Sequence, residues 1–261
     1  MIPRKIHYCW LSDEAVPESL QKCIDSWKKY LPDYELILWN FNRFPRGRSR
    51  WVDEAFDNKK YAFAADYIRL YALYNYGGVY LDMDVEVLKS FTPLLNLRTF
   101  VCWQNEMRGL EVAAMGAEKG CRWLKLCLDR YENRPFVRAN GSFDTKVLPC
   151  VVEDILRKSA YELPCVDNID AAKEVEATKD DVPVFSCDFF SPKSYKTGNI
   201  MKTKNTFCVH HFAGSWIVRP RYETMETRFW KIFGLKNLNI LGKIYWKLCF
   251  PVIRKFQKED D

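Results

Sequence analysis

Three acidic residues alternate with apolar ones in one short segment of the chain. Asp82, Asp84 and Glu86 stand at every second position of YGGVYLDMDVEVL, residues 76–88. The positions between and beside them are apolar: Val79, Leu81, Met83, Val85 and Val87. A strand sends alternate residues to opposite faces. The pattern therefore predicts a strand that packs one face into a core and presents neighbouring like charges on the other.

Two aspartates in an Asp-x-Asp arrangement can bind a hard divalent cation. Mn²⁺ and Mg²⁺ take carboxylate oxygens as ligands, and such a cation would neutralise the repulsion between Asp82 and Asp84. It would also stabilise charge that develops on a departing phosphate group. Asp-x-Asp is frequent by chance, and a solvent-exposed acidic pair on an edge strand is the simpler explanation. The flanking apolar strand favours the metal site.

A second charged pair precedes the acidic segment. Asp66 and Arg69 are three positions apart within residues 52–76, where apolar residues recur with helical spacing. On a helix they form either a surface ion pair of small energetic value or a charged pair directed at sugar hydroxyls or phosphate. Gly77 and Gly78 follow, and we expect them to end the helix.

Segments with strand-like and helix-like patterns alternate along the chain, which predicts an α/β domain. Strands are predicted over 2–10, 34–39, 79–88, 100–103, 182–185 and 205–211, and helices over 17–30, 52–76 and 121–131. Residues 134–141 and 166–181 have no clear period and are predicted loops. With 48% hydrophobic residues among 261, the chain can fill the core of one large domain. We place this domain at residues 1–220.

The basic residues are concentrated in the C-terminal segment, residues 221–261. The chain has a net charge of +6, but residues 228–258 contain eight lysines and arginines and no acidic residue, so the remainder is slightly acidic (+6 less 8). Four apolar residues recur there at helical spacing: Leu238, Leu241, Tyr245 and Leu248. This pattern predicts a helix that lies either on an anionic membrane surface or on its own domain. No groove-reading motif accompanies the charge, so we expect no nucleic-acid partner.

The location of the protein is predicted from what the sequence lacks. No apolar run reaches the roughly 18 residues that span a bilayer, and the N-terminus has no apolar signal-peptide core. We therefore expect a cytoplasmic protein that contacts the inner face of the cell membrane through its basic segment.

The segment AADYIRLYALYNYGGVYLDMDVEVL, residues 64–88, resembles the signature of glycosyltransferases with a DXD sugar-binding region. This family includes yeast initiating mannosyltransferases and bacterial capsular-polysaccharide transferases. The segment is similar, more distantly, to the glucosyltransferase domain of large clostridial toxins. Two outlying segments agree with the resemblance: IPRKIHYCW at 2–10 with the family's first strand, and HHFAGSW at 210–216 with its closing motif.

The resemblance implies a nucleotide-diphospho-sugar transferase fold (GT-A) and a role for each matching residue. Trp10 would stack on the nucleotide base, and Asp66 and Arg69 would hold the donor sugar. Asp82 would contact the ribose or the metal, and Asp84 would be the principal metal ligand.

Three further roles come from the closing motif. The resemblance implies that His211 and Ser215 complete the site of Mn²⁺ or Mg²⁺ and that Trp216 lies over the leaving diphosphate. The toxin pattern has a carboxylate at the position of His211, which leaves the choice between His210 and His211 open.

The implied activity is transfer of a hexose, with retention of anomeric configuration, to a hydroxyl of a growing glycan. The donor would be a UDP-hexose in preference to GDP-mannose, and the acceptor a capsular or other surface polysaccharide, including one linked to a lipid. Two alternatives remain at this point. One is a phosphotransferase with Asp82 as nucleophile, for which Lys179, Asp180 and Asp181 are the available partners. The other is a non-catalytic sugar-binding module.

Overall fold

The computed structural model describes residues 1–105, 109–178, 181–195 and 197–213. The strands within them are β1 Lys5–Cys9, β2 Glu35–Trp39, β3 Gly78–Leu81, β4 Val85–Val87, β5 Thr99–Trp103, β6 Leu110–Ala117, β7 Cys165–Val166, β8 Val184–Phe185 and β9 Cys208–His210. The helices are α1 Glu18–Tyr30, α2 Arg50–Asp57, α3 Tyr61–Tyr76, α4 Arg122–Asp129, α5 Leu148–Lys158 and α6 Ile169–Thr178.

Seven strands form one mixed sheet in the order β2-β1-β3-β6-β5-β8-β7. β2, β1 and β3 run parallel, as do β5, β8 and β7, whereas β6 is antiparallel to both of its neighbours. β4 and β9 form a separate antiparallel pair. Strands that alternate with helices around such a sheet make an α/β domain. The predicted fold class is therefore confirmed.

Two hydrophobic cores lie on the two faces of this sheet. Tyr80 of β3 belongs to a core with Ile68 of α3, whereas its neighbours Val79 and Leu81 belong to a second core with Trp27 of α1. Successive side chains of a strand point to opposite faces, so helices cover β3 from both sides. For the same reason β3 and β6 are buried at every position.

The helical block predicted over residues 52–76 is two helices, because the chain turns between them. Lys59 adopts a left-handed φ of +58°, which an α-helix cannot accommodate. α3 then ends at Gly77, where φ is +62°. A Cβ at this position would lie 2.7 Å from the backbone nitrogen of Lys119. The predicted stop at Gly77 is confirmed, and only glycine fits there.

The acidic segment is not the single strand that its alternation predicts. β3 ends at Leu81, and the chain then turns, with the Val85 N–H donating to the Asp82 carbonyl at 3.0 Å. β4 follows in the other sheet. The predicted apolar set is nevertheless buried: Val79, Leu81, Met83, Val85 and Val87. Alternation identified these five residues, but it did not predict that Tyr80 of the alternate set is buried as well, and it could not show that the chain changes sheets.

Residues 166–181 contain a helix where the sequence predicted a loop. Asn168 caps this helix, α6, because its Oδ1 accepts the Ala171 N–H at 2.8 Å. Ala172 is fully buried, but alanine contributes little to a hydrophobic period. The capping residue was therefore the better signal for α6.

Several predicted features lie outside the described residues. These are the basic helix within residues 221–261, Ser215 and Trp216, and their predictions stand untested. Among the described helices, none combines the length and the hydropathy that crossing a bilayer requires.

His7 of β1 is a fully buried histidine that joins two strands and a helix end. The Trp39 indole donates to His7 Nδ1 at 3.0 Å, so His7 Nε2 carries the proton and donates to the Gly77 carbonyl at 2.8 Å. Burial is the main cause that lowers the pKa of His7 to about 4, and Lys5 and Arg43 add to the effect. The ring is therefore neutral in the folded protein.

This neutral histidine should make the protein less stable as the pH falls from about 6.5 to 4. The folded pKa lies below the unfolded value, so in this window the unfolded chain binds a proton that the folded chain does not. The difference amounts to about 3 kcal/mol of unfolding free energy. Urea titrations of wild type and His7→Gln at pH 7 and pH 4 measure it. The variant should lose less stability between the two pH values, and an equal loss in both proteins would contradict the prediction.

Candidate functional site

The charged pair on α3 is buried and extends to a third residue. Arg69 is 5% exposed, and its Nη2 lies 3.2 Å from Asp66 Oδ1 and 3.1 Å from Asp82 Oδ1. Arg69 Nη1 also donates to the Val112 carbonyl at 2.9 Å, and the guanidinium lies over the Tyr80 ring. The interpretation as a surface ion pair is therefore wrong. Asp66 and Arg69 are buried, and Asp82, whose side chain is 28% exposed, completes a triad with them.

Burial changes the protonation of both acids in this triad. Burial raises the pKa of Asp66 to about 7, while Arg69 opposes the rise and Asp82 adds to it. Burial also raises the pKa of Asp82, again with Arg69 opposing. One cation thus faces a buried acid and a half-buried acid, and the pKa of Asp66 lies near neutral pH. Such shifts are frequent at functional sites.

Asp84 is held by the chain segment that follows β9. Its Oδ2 accepts the Ala213 N–H at 2.7 Å, and its backbone carbonyl accepts the His211 N–H at 3.0 Å. His210 Nε2 lies 3.4 Å from the same Oδ2. Burial raises the pKa of Asp84, but His210 and the Ala213 N–H outweigh that effect and lower the pKa to about 2. Asp84 is therefore an ionised carboxylate with a fixed position.

The pairing of β4 with β9 decides which histidine reaches the acidic pair. Val85 stands opposite His210, and His210 Nε2 faces Asp84. Neighbouring residues of an extended chain point to opposite sides, and His211 Nε2 instead lies 3.0 Å from Glu86 Oε2. The structure thus brings His210 to the acidic pair in place of the predicted ligand His211.

Asp82, Asp84 and His210 form a group with the composition of a divalent-metal site. One ligand atom from each residue lies within 4.8 Å of the others. Two carboxylates with one imidazole suit Mn²⁺ better than Mg²⁺, which prefers oxygen ligands alone. These residues fit the ion that the Asp-x-Asp pattern predicts. The remaining predicted ligand, Ser215, lies beyond the described part of the chain.

Glu111 of β6 also belongs to the site, although the sequence analysis did not identify it. The residue is 1% exposed, and its Oε2 lies 3.0 Å from His210 Nδ1. Burial raises the pKa of Glu111, but His210 and hydrogen bonds from Ala113 and Ser191 outweigh that effect and lower it. A signal was available: LEVAAMGA contains one acid in an otherwise apolar strand, and such an acid requires a buried partner.

Trp10 lies at the carboxyl end of β1. Its backbone N–H donates to the Trp39 carbonyl at 3.0 Å, and its indole donates to the Glu14 carbonyl at 2.9 Å. β1 and β3 are parallel, so their carboxyl ends meet at one edge of the sheet, where α/β domains bind ligands. Trp10 is therefore at the same edge as Asp82, as its predicted role requires.

The phosphotransferase alternative requires a free nucleophilic carboxylate at Asp82. Both oxygens of Asp82 lie within 3.4 Å of the Arg69 guanidinium, so Asp82 is engaged in an ion pair. Of the partners considered for that reaction, Asp181 accepts the Glu162 N–H at 3.0 Å. Lys179 and Asp180 lie outside the described residues. The geometry around Asp82 therefore gives this alternative no support.

Residues 17–101 match the model of a protein family described as a glycosyltransferase sugar-binding region containing a DXD motif. The match includes Asp66, Arg69, Asp82 and Asp84, so the resemblance of residues 64–88 to the DXD glycosyltransferase family is confirmed. Together with the α/β sheet, it supports the predicted GT-A fold.

Similar proteins have been named in two yeasts. Inositol phosphoceramide mannosyltransferase 1 of Schizosaccharomyces pombe is 34% identical over 115 residues, which cover 41% of this chain and 36% of that protein. Mannosyl phosphorylinositol ceramide synthase SUR1 of Saccharomyces cerevisiae is 35% identical over 108 residues, 39% of this chain and 27% of that protein. The chain thus spans about a third of the length of these relatives.

Among solved structures, the chain is similar to one described as "PaToxG Glycosyltransferase". The TM-score is 0.45 and the sequence identity 19%, over 61% of this chain and 70% of that one.

Proposed function

We propose that this chain, whose residues 17–101 carry the glycosyltransferase sugar-binding region containing a DXD motif, is a metal-dependent glycosyltransferase. It moves a hexose from a nucleotide diphosphate sugar to a hydroxyl group. The observation that carries the proposal is the convergence of Asp82, Asp84 and His210 beside the buried Asp66–Arg69 pair. A site for the sugar next to a site for a diphosphate-binding cation is what this reaction requires.

Each charged residue has its own task in this reaction. Asp66 and Arg69 hold hydroxyls of the donor sugar, because buried polar groups of fixed geometry discriminate between hydroxyl patterns. Asp82, Asp84 and His210 hold a divalent cation, which when bound supplies positive charge against the leaving diphosphate. The family resemblance implies retention of configuration, with the acceptor hydroxyl approaching the face that the diphosphate leaves. No side chain then has to act as a nucleophile.

The relatives favour mannose as the transferred sugar and a lipid-linked acceptor. Both yeast proteins are named for a mannosyl group and an inositol-containing ceramide lipid. We therefore place GDP-mannose ahead of UDP-hexoses, the reverse of the order from sequence alone, and a lipid-linked headgroup ahead of a capsular glycan. The eight basic residues within 228–258 would attract an anionic membrane surface on which such an acceptor lies. The inner face of the cell membrane is the proposed location.

Donor turnover is the direct test of this function. Purified protein is incubated with a panel of GDP- and UDP-sugars, with Mn²⁺ or with EDTA, and released nucleotide diphosphate is measured. We expect release from GDP-mannose above the other donors, because the relatives are named for mannosyl groups, and none in EDTA.

Other outcomes would separate the alternatives. Metal-dependent binding of a donor that remains intact with every acceptor would indicate a sugar-binding module. A trapped phosphoryl group on Asp82 would indicate a phosphotransferase. Neither turnover nor metal-dependent donor binding would refute the proposal.

A further inference from the structure

Glu111 on β6 is a buried carboxylate with three hydrogen-bond partners. Its Oε1 accepts the Ala113 N–H at 2.9 Å. Its Oε2 accepts the Ser191 hydroxyl at 3.0 Å and lies 3.0 Å from His210 Nδ1. Burying a carboxylate in an apolar strand is unfavourable unless such partners satisfy it. The contact with His210 connects this buried acid to the candidate metal group.

The contact with Glu111 determines which nitrogen of His210 carries a proton. A carboxylate oxygen can only accept, so His210 Nδ1 must be the donor. Burial lowers the pKa of His210, but Glu111 and Asp84 outweigh that effect and raise it well above its ordinary value. Without a cation, Nε2 therefore also carries a proton, which faces Asp84 Oδ2 at 3.4 Å. Because Glu111 keeps the proton on Nδ1, Nε2 is the nitrogen that would lose its proton and bind a cation beside Asp84.

Phe212 restricts the same ring from another direction. The ring centroids of His210 and Phe212 are 4.1 Å apart, and Phe212 adopts a left-handed φ of +53°, which is uncommon for a residue other than glycine. With Glu111 on Nδ1 and Phe212 against the ring, His210 has one supported orientation.

We propose that Glu111 is a positioning residue, which sets the tautomer and the orientation of His210 so that Asp82, Asp84 and His210 bind a divalent cation together. This role rests on the proposed function, because it concerns the same metal group. Acceptors that orient a metal-binding histidine change metal affinity by about 10–100-fold when they are removed. A purely structural Glu111 would support the fold without affecting His210.

Mn²⁺ affinity, measured by electron paramagnetic resonance on the full chain, distinguishes these two roles. The proteins compared are wild type, Glu111→Gln, His210→Ala and the double variant. Glu111→Gln should weaken Mn²⁺ binding about 10–100-fold. In the double variant it should cause less than about a twofold further loss relative to His210→Ala, because residues that act through one another are not additive.

Glu176 provides the matched control. Its carboxylate is half-buried and accepts the N–H groups of Arg98 and Thr99 at 2.9 and 3.0 Å. Glu176→Gln therefore makes the same change, an oxygen to an NH₂ group with loss of the charge, at a similar acceptor elsewhere in the domain. The Mn²⁺ affinity of Glu176→Gln should equal that of the wild type. Two results would overturn the role of Glu111 but leave the metal site itself in place. One is an unchanged Mn²⁺ affinity in Glu111→Gln, and the other is a double variant whose loss of affinity equals the sum of the losses in the two single variants. Failure of the wild type to bind Mn²⁺ would refute the metal site itself and the role together.

A second measurement does not depend on whether Glu111→Gln folds. Long-range ¹⁵N–¹H spectra of the wild type with Zn²⁺, a diamagnetic ion that binds imidazole and carboxylate ligands, should show His210 protonated at Nδ1 and unprotonated at Nε2. The His210→Gln protein assigns the signals. Protonation of Nε2 instead of Nδ1 would contradict the proposal.

Discussion

Replacing Asp84 with alanine should reduce metal-dependent donor turnover by about 10³-fold or more, or about 4 kcal/mol of transition-state stabilisation. Asp84 is ionised and fixed, since its pKa is lowered to about 2 and its Oδ2 accepts the Ala213 N–H at 2.7 Å. The substitution removes this carboxylate from the group with Asp82 and His210. Mn²⁺ affinity and nucleotide diphosphate release, measured on the same preparations, should fall together.

Two further variants separate the metal effect from a structural one. Asp84→Asn keeps an acceptor for the Ala213 N–H but loses the negative charge, so it should retain the fold and still lose Mn²⁺ binding. Asp129 lies on α4 with a side chain that is 44% exposed and paired with Lys125, and Asp129→Ala should behave as wild type. Near-normal Mn²⁺ affinity in Asp84→Asn would place the cation elsewhere and contradict the proposed site.

The parts of this site that sequence could predict depend on local spacing. Asp66 and Arg69 are three residues apart on one helix. Asp82 and Asp84 are two residues apart in the turn between β3 and β4, so proximity in the sequence brings each pair together. Gly77 marks the helix end between the pairs for an equally local reason, a positive φ. These residues could therefore be identified before any tertiary contact was known.

The remaining parts of the site depend on contacts between distant segments. His210 and Glu111 are separated by 99 positions, and only the pairing of β9 with β4 decides that His210 rather than His211 faces Asp84. A sequence pattern contains the two histidines side by side, but it does not contain the register of that pairing. The candidate ligand was therefore open until the strands were placed.

β6, the strand that carries Glu111, was missed because its composition does not indicate a strand. Its segment LEVAAMGA is rich in alanine and includes Gly116, and both residue types are depleted in strands. The packing explains the glycine: a Cβ on Gly116 would lie 2.1 Å from the Phe100 ring. Here the tertiary fit of a neighbouring aromatic ring overrides local propensity.

Replacing Arg69 with methionine should destabilise the protein by about 3–5 kcal/mol at pH 8. Arg69 is the cation between Asp66 and Asp82, and its Nη2 lies 3.2 and 3.1 Å from their Oδ1 atoms. Methionine fills much of the volume but leaves the buried carboxylate of Asp66 and the half-buried carboxylate of Asp82 without a counter-charge. Chemical unfolding of wild type and Arg69→Met measures the loss.

The loss should depend on pH in a definite direction. The folded pKa of Asp66 is already about 7 with Arg69 present, and removal of the cation raises the folded pKa of both acids further. An acid whose folded pKa exceeds its unfolded value, about 3.9, loses stability as the pH rises through that window. Arg69→Met should therefore be closer to wild type at pH 5 than at pH 8.

Two comparisons test whether the uncompensated acids cause the loss. Adding Asp66→Asn to Arg69→Met removes one of the two charges and should recover part of the stability at pH 8. Arg50, whose side chain is 61% exposed, lies 2.6 Å from Glu54, and Arg50→Met should change the unfolding free energy by only about 0.5 kcal/mol. A loss in Arg69→Met that is the same at pH 5 and pH 8 would mean that packing, not charge, holds Arg69 in place. A loss of unfolding free energy that is larger at pH 8 than at pH 5 would show that Arg69 stabilises the fold by neutralising Asp66 and Asp82. The Asp66–Arg69 pair that we propose to bind the donor sugar would then also be needed for folding.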